Sequence, residues 1–258
     1  MPHCIAPCLF IAPLLLAVLS TLANPSTTKD SSESWNKNYT RDQRLDYYGY
    51  VFLGDAMEAQ SQADLKRLRK YSNLVGYVSE ETSMRGKYPF SDLKNADAQI
   101  KAYLKKEGEA IRYLDSLGFT ITWPVPLAQL IDNMDQEGFR RELRRIKKYM
   151  PEMELVDWVY ILDEPNFRKV PTETIEEFID IFKSEFPNPK VMFFYAIVHP
   201  QFLDTVPPRN ADILGIDPYM FTSGYEHNAK DFEYYYRESL ACALRWINRW
   251  DKPYILAG

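Results

Sequence analysis

From Tyr48 to Leu256, short apolar runs alternate with stretches of helical period, which predicts an α/β chain. The expected architecture is most of a (β/α)8 TIM barrel, lacking the eighth βα unit. Two further observations support it. The runs recur at roughly thirty-residue spacing, as successive βα units do. No Gly-rich phosphate loop follows the first run, which puts an open doubly wound sheet in second place. A chain of 258 residues also falls within the range of a single barrel.

The amino terminus is read first as a targeting segment. It is apolar from Leu9 to Leu19 with one interruption at Pro13, and it ends in Ser20-Thr21-Leu22-Ala23. Small Thr21 and Ala23 stand two apart, as a signal-peptidase site requires. The run is short for a bilayer span. Residues 1–23 are therefore expected to be a signal peptide cleaved near Ala23. The mature protein would be secreted or periplasmic, without stable membrane insertion. Cys4 and Cys8 fall inside this segment, so Cys242 alone remains and no internal disulfide can form. Residues 24–44 are polar and aperiodic and read as a linker, leaving 45–258 for the barrel.

The elements follow in order. Tyr48–Leu53 is the first parallel strand, closed by Gly54-Asp55, and a helix follows near Ala63–Tyr71 with Leu65 and Leu68 on one face. Leu74–Val78 is the second strand, ending at Ser79-Glu80-Glu81. Ile100, Tyr103, Leu104, Ile111, Leu114 and Leu117 then mark a helix at three- and four-residue spacing. Gly118 stops it where a left-handed C-cap is favoured. Phe119–Trp123 is the third strand, broken by Pro124 and Pro126. A helix starting near Asp135 keeps Phe139, Leu143, Ile146 and Met150 on one stripe. Its Arg140, Arg141, Arg144, Arg145, Lys147 and Lys148 read as a solvated outer face.

Val156–Leu162 is the fourth strand. The next helix buries Ile175, Phe178, Ile179, Phe182 and Phe186, with Thr172 or Thr174 as its cap. Val191–Ile197, Ile213–Ile216 and Tyr254–Leu256 complete seven strands, with a helix at about Asp231–Trp250 before the last. Gln201–Asn210 leaves room for only a stub of helix. An eighth strand would fall beyond Gly258, so the first and seventh strands are expected to be edges.

Composition narrows the function classes. Net charge is −5, and the first 23 residues contain no Lys, Arg, Asp or Glu. The mature part is thus mildly acidic, which argues against nucleic acid as a partner. Aromatic residues make up 14%, enough for sugar stacking as well as for a packed core. Outside the leader only His199 and His227 remain, too few for a His-rich metal site, although an all-carboxylate Mg²⁺ site stays open. None of the expected strands ends in a Lys for Schiff-base chemistry, and no Gly-x-Ser-x-Gly elbow is present. No cofactor is expected, and the sequence leaves the oligomeric state open.

Barrel chemistry sits at the C-terminal ends of the strands. Those ends carry Asp55, Glu80 and Glu81, Trp123, Asp163 and Glu164, His199, and Asp217 with Tyr219. Carboxylates and aromatics dominate. The most informative stretch is Asp157-Trp158-Val159-Tyr160-Ile161-Leu162-Asp163-Glu164-Pro165-Asn166, in which an apolar strand delivers two adjacent carboxylates and Pro165 forces a turn.

This stretch resembles the fourth-strand Asn-Glu-Pro motif of the large retaining clan of (β/α)8-barrel glycoside hydrolases. The resemblance implies a carbohydrate substrate and makes Glu164 the acid/base that protonates the leaving oxygen. That role calls for a carboxyl raised by a dry pocket and a second carboxylate. Asp163 stands where the clan carries Asn, the contact to the sugar 2-hydroxyl. The stretch from Asp212 to Tyr219 resembles the sixth strand of these enzymes, where an Asp and a Tyr line the cleft. Trp123 would form a stacking platform, and His199 would bind substrate or orient a carboxylate. Clan members carry the nucleophilic Glu after a Lys-Pro-apolar strand. Here Lys252-Pro253-Tyr254-Ile255-Leu256-Ala257-Gly258 matches that strand, with Gly258 about where the Glu would fall. Asp217 is the first in-chain substitute and Asp55 the second, while Glu80 joins the substrate-binding set. A non-catalytic carbohydrate-binding barrel is the alternative.

Overall fold

The computed structural model describes residues 16–19, 47–79, 96–163, 168, 170–196, 206–217, 241, 245 and 254–256. The strands are β1 (Leu16–Leu19), β2 (Tyr47–Leu53), β3 (Leu74–Val78), β4 (Thr120–Pro124), β5 (Trp158–Tyr160), β6 (Lys190–Ala196), β7 (Ile213–Asp217) and β8 (Tyr254–Leu256). The helices are α1 (Ala59–Leu68), α2 (Ala96–Ser116), α3 (Ala128–Asp132), α4 (Gln136–Tyr149) and α5 (Thr172–Glu185), with a 3-10 turn at Pro151–Leu155. Successive pairings from β2 to β8 are all parallel, as connections through helices require.

The sheet closes, which corrects the expectation of two unpaired edges. β1 lies antiparallel between β2 and β8, with Val18 opposite Tyr47 on one side and Ile255 on the other. Leu16–Leu19, within the apolar run read as a leader, thus holds the eighth position. Its backbone satisfies two rows of amide and carbonyl groups that an open sheet would leave bare.

Register separates two faces. Partners on neighbouring strands share a face, so Val51, Gly76, Thr122 and Trp158 form one row across β2–β5. On that face Leu74, Trp158, Met192 and Ile213 are buried together, with Val51 and Tyr160 packed against them. This is the barrel interior. The alternate positions Val75, Tyr77, Ile121, Trp123, Val159, Val191, Phe193 and Leu214 belong to a second cluster shared with the helices.

The helix layer is built from the apolar stripes read in the sequence. Phe139 of α4 meets Phe178 of α5 edge to face at 5.0 Å, and both are fully buried. Each such side chain contributes on the order of 2–3 kcal/mol by leaving water. Of the basic residues of α4, Arg140 and Arg144 reach Glu185 of α5 while Arg141 and Arg145 pair with Glu142.

Two helix ends share one geometry. After α2, Gly118 adopts φ +78 and donates to Asp115, while Phe119 donates to Leu114. After α3, Met134 adopts φ +55 and donates to Ile131, while Asp135 donates to Leu130. Both are Schellman turns, the first anticipated at Gly118 and the second carried by a residue with a side chain. Asp135 then caps α4 by accepting the Gly138 amide at 2.8 Å.

One cap differs from expectation. Pro171 occupies the N-cap of α5 with no side-chain cap bond, and Thr172 instead donates its hydroxyl to the carbonyl of Val206 at 2.8 Å. The expected helix at Asp231–Trp250 lies outside the described residues except at Ala241 and Arg245, both helical.

Candidate functional site

The parallel register brings the C-terminal ends of β2–β8 to one mouth, where Asp55, Trp123, Asp163 and Asp217 fall as read from sequence. Glu164, Glu80, His199 and Tyr219 lie outside the described residues.

Asp163 follows β5 after Ile161 and Leu162 and is exposed. Its backbone carbonyl accepts Arg168 Nε at 2.9 Å, and Arg168 Nη1 reaches Asp132 Oδ2 at 2.7 Å. Arg168 thus links the Asp163 carbonyl to Asp132 at the end of α3. Sequence reading missed Arg168 and Asp132, because their pairing depends on where the corner between α3 and α4 packs.

Asp217 is the last residue of β7 and pairs with Ala196 of β6. It occupies the same strand parity as Ile213, which belongs to the interior cluster. One strand, β6, separates it from the end of β5.

Trp123 requires a correction. Its parity on β4 is that of Ile121, toward the helices, and it is only 1% exposed. The indole N–H donates to Glu107 Oε2 of α2 at 2.8 Å, within a buried contact. No ring face is left for a sugar to stack on, and the indole acts as a sheet–helix tie. Trp158 and Tyr160 share the interior parity; Trp158 is buried in the interior cluster, while Tyr160 is half-buried against it and opposite Pro124. The alternation Trp158-x-Tyr160 was the signal that could have found both.

Asp55 is also committed locally. Its Oδ1 accepts the Met57 amide at 2.9 Å, and Oδ2 pairs with Lys106 of α2 at 3.0 Å. Partial burial pushes its carboxyl up, but the Met57 amide and Lys106 together outweigh that and hold it below the ordinary carboxylate value. Its bonds face α1 and α2.

The opposite end of the barrel holds Asp157 and Asp212, which precede β5 and β7. Asp157 Oδ2 accepts the Ile121 amide at 2.8 Å, and Asp212 Oδ2 accepts the Val191 amide at 2.8 Å. Asp212 also binds Lys183 at 2.8 Å. Burial pushes the Asp157 carboxyl above its ordinary value, with nearby Asp115 adding to the rise and the Ile121 amide opposing it.

Among the described residues no three His, Cys, Asp or Glu gather to hold a metal ion, and no helix is long and apolar enough to cross a membrane.

No protein-family model and no curated protein matches the chain. Solved structures similar to it include glycosidases at low identity. One is a β-glucosidase in its apo form, with TM-score 0.44 and 15% identity over 60% of this chain and 54% of that one. Another is a β-D-glucuronidase from Dictyoglomus thermophilum, with TM-score 0.49 and 13% identity over 81% and 35%. A mutant tryptophan synthase α-subunit from Pyrococcus furiosus is also similar, with TM-score 0.42 and 17% identity over 74% and 73%. The chain spans about half of the first of these and about a third of the second. Likenesses at this level assign no activity.

Proposed function

We infer that the chain is a glycoside hydrolase of the carboxylate acid/base type, acting on an oligo- or polysaccharide. The observation that carries this reading is the parallel register of β5–β7. β5 ends two residues before the Asp163-Glu164-Pro165 stretch of the sequence, and β7, whose last residue is Asp217, runs parallel to it with only β6 between them.

In this reading Glu164 protonates the leaving glycosidic oxygen, and Asp217 is the second carboxylate, stabilising the oxocarbenium-like transition state. The reading requires one carboxyl to be protonated as the acid while the other is ionised. Asp163 binds a sugar hydroxyl, with His199, Tyr219 and Glu80 as further substrate contacts. Tyr160 takes the stacking role that Trp123 cannot.

The test is turnover of a panel of aryl glycosides by the full chain and by Glu164→Gln. A positioned general acid contributes about 10²–10⁴ in rate, and a loss of that size with retained oligosaccharide binding supports the reading. Glycan binding by wild type without any turnover supports the non-catalytic barrel instead.

A further inference from the structure

We propose that the slot between β2 and β8 is a strand-binding site, and that its occupant, Leu16–Leu19, stays bound there as a separate peptide once the chain is cut beyond it. Topology is the first support. Every pairing from β2 to β8 is parallel, and parallel neighbours are joined by crossover connections that fix each strand in the βα series. Among the described strands, only β1 runs antiparallel to its neighbours. It enters the barrel by pairing alone, as an extended peptide does when it adds to a sheet edge.

The pairing is two-sided. Leu16, Ala17 and Val18 stand opposite Gly49, Tyr48 and Tyr47 of β2. Ala17, Val18 and Leu19 stand opposite Leu256, Ile255 and Tyr254 of β8. Ala17 and Val18 therefore have partners on both sides. A peptide docked on an open sheet gains one ladder of backbone bonds, whereas this one gains two and closes the barrel. Such recognition reads an extended backbone with its N–H groups in place, so a proline within the strand removes it.

The position of the expected leader cleavage is the second support. It falls near Ala23, beyond Leu19, so every paired residue of β1 remains on the excised piece. The polar stretch 24–44 that follows lies outside both ladders. A cut there breaks no pairing. It removes only the tether, and with it the high effective concentration of the strand at its slot. The competing outcome is that the piece leaves and a second copy of the chain pairs with the bared edges.

The experiment starts from the full chain, with a protease recognition sequence inserted between Thr28 and Lys29 and cut after folding. The excised amino-terminal piece is expected to co-elute with the barrel in equimolar amount on size exclusion, read by mass spectrometry. A fluorescent synthetic peptide of residues 9–23 should exchange into the cut protein, raising its anisotropy. The same peptide carrying Val18→Pro should bind at least about ten-fold more weakly, since it lacks a ladder donor. An excised piece that separates from the barrel overturns the proposal, whether or not the barrel then self-associates in sedimentation velocity. Equal binding of the two peptides also overturns it, because that marks adsorption of an apolar segment without strand pairing. Neither readout involves turnover, so failure here leaves the glycosidase reading untouched.

Discussion

Asp157 and Asp212 perform the same task at alternate strands of the sheet. Each stands one residue before a parallel strand, and each accepts the amide of the second residue of the strand before it, Ile121 and Val191, at 2.8 Å. The backbone amide of each Asp continues the same junction: Asp157 N–H donates to the Ile121 carbonyl and Asp212 N–H to the Val191 carbonyl. Two side chains thus set the stagger at the closed end of the barrel, and through it the positions of β5 and β7 at the open end.

The Asp157 carboxyl makes this clamp pH-sensitive. Its folded pKa is raised, so the folded state binds the proton more tightly than the unfolded chain does. Its contribution is largest at acid pH and declines as pH rises from the ordinary carboxylate value through the elevated folded one. Asp157→Asn keeps an acceptor for Ile121 and should flatten that slope. Asp157→Ala leaves the amide without it and should cost about 1–3 kcal/mol. Urea midpoints from about pH 3, below the ordinary Asp value of about 3.9, up to about pH 8 check both.

Gly118 and Met134 occupy equivalent places in two Schellman turns, and their substitutions should act in opposite directions. Gly118→Ala forces a side chain into φ +78 and should cost about 1 kcal/mol, since the nearest atoms, on Arg69, stand at an ordinary 3.5 Å. Met134 is 55% exposed, so Met134→Gly forfeits little burial and should gain about 0.5 kcal/mol by relieving φ +55. Chemical denaturation of the two variants measures the signs.

Trp123 and Tyr160 separate sheet–helix packing from ligand contact. Trp123→Phe removes the donor to Glu107 and should cost about 2 kcal/mol while leaving glycan affinity unchanged. Tyr160→Ala should weaken oligosaccharide binding about ten-fold or more through lost stacking. Calorimetric titration of both variants with one oligosaccharide gives the comparison.

Removing residues 1–23 deletes β1 and bares the facing edges of β2 and β8. The chain beginning at Asn24 should therefore associate in a concentration-dependent way, seen by sedimentation velocity. A monomer with an unchanged melting temperature would show that β1 contributes nothing to closure.

Much of the fold was legible because periodicity reports burial. The stripe Phe139, Leu143, Ile146 predicted α4, Gly118 predicted the end of α2, and Tyr254–Leu256 appears as the last strand with the bounds read from sequence. The five-residue α3 was not read, since so short a helix has no full period to display. Trp123 was placed on the wrong face because Thr120 and Thr122, its alternating neighbours, suit either side of a sheet. Thr172 was read as a cap because local sequence favours it, while a tertiary acceptor, Val206, took its hydroxyl. The pairings of Asp157, Asp212 and Arg168 join residues far apart or around a corner, and no local pattern encodes them.

If Glu164 is the general acid, the rate depends on the leaving group in a characteristic way. A 2,4-dinitrophenyl glycoside departs without protonation, whereas an alkyl or sugar leaving group needs it. Glu164→Gln should lose about 10³-fold in kcat/KM on the poor leaving group and less than about ten-fold on the dinitrophenyl one. An equal loss on both substrates, or no loss on either, would contradict the assignment.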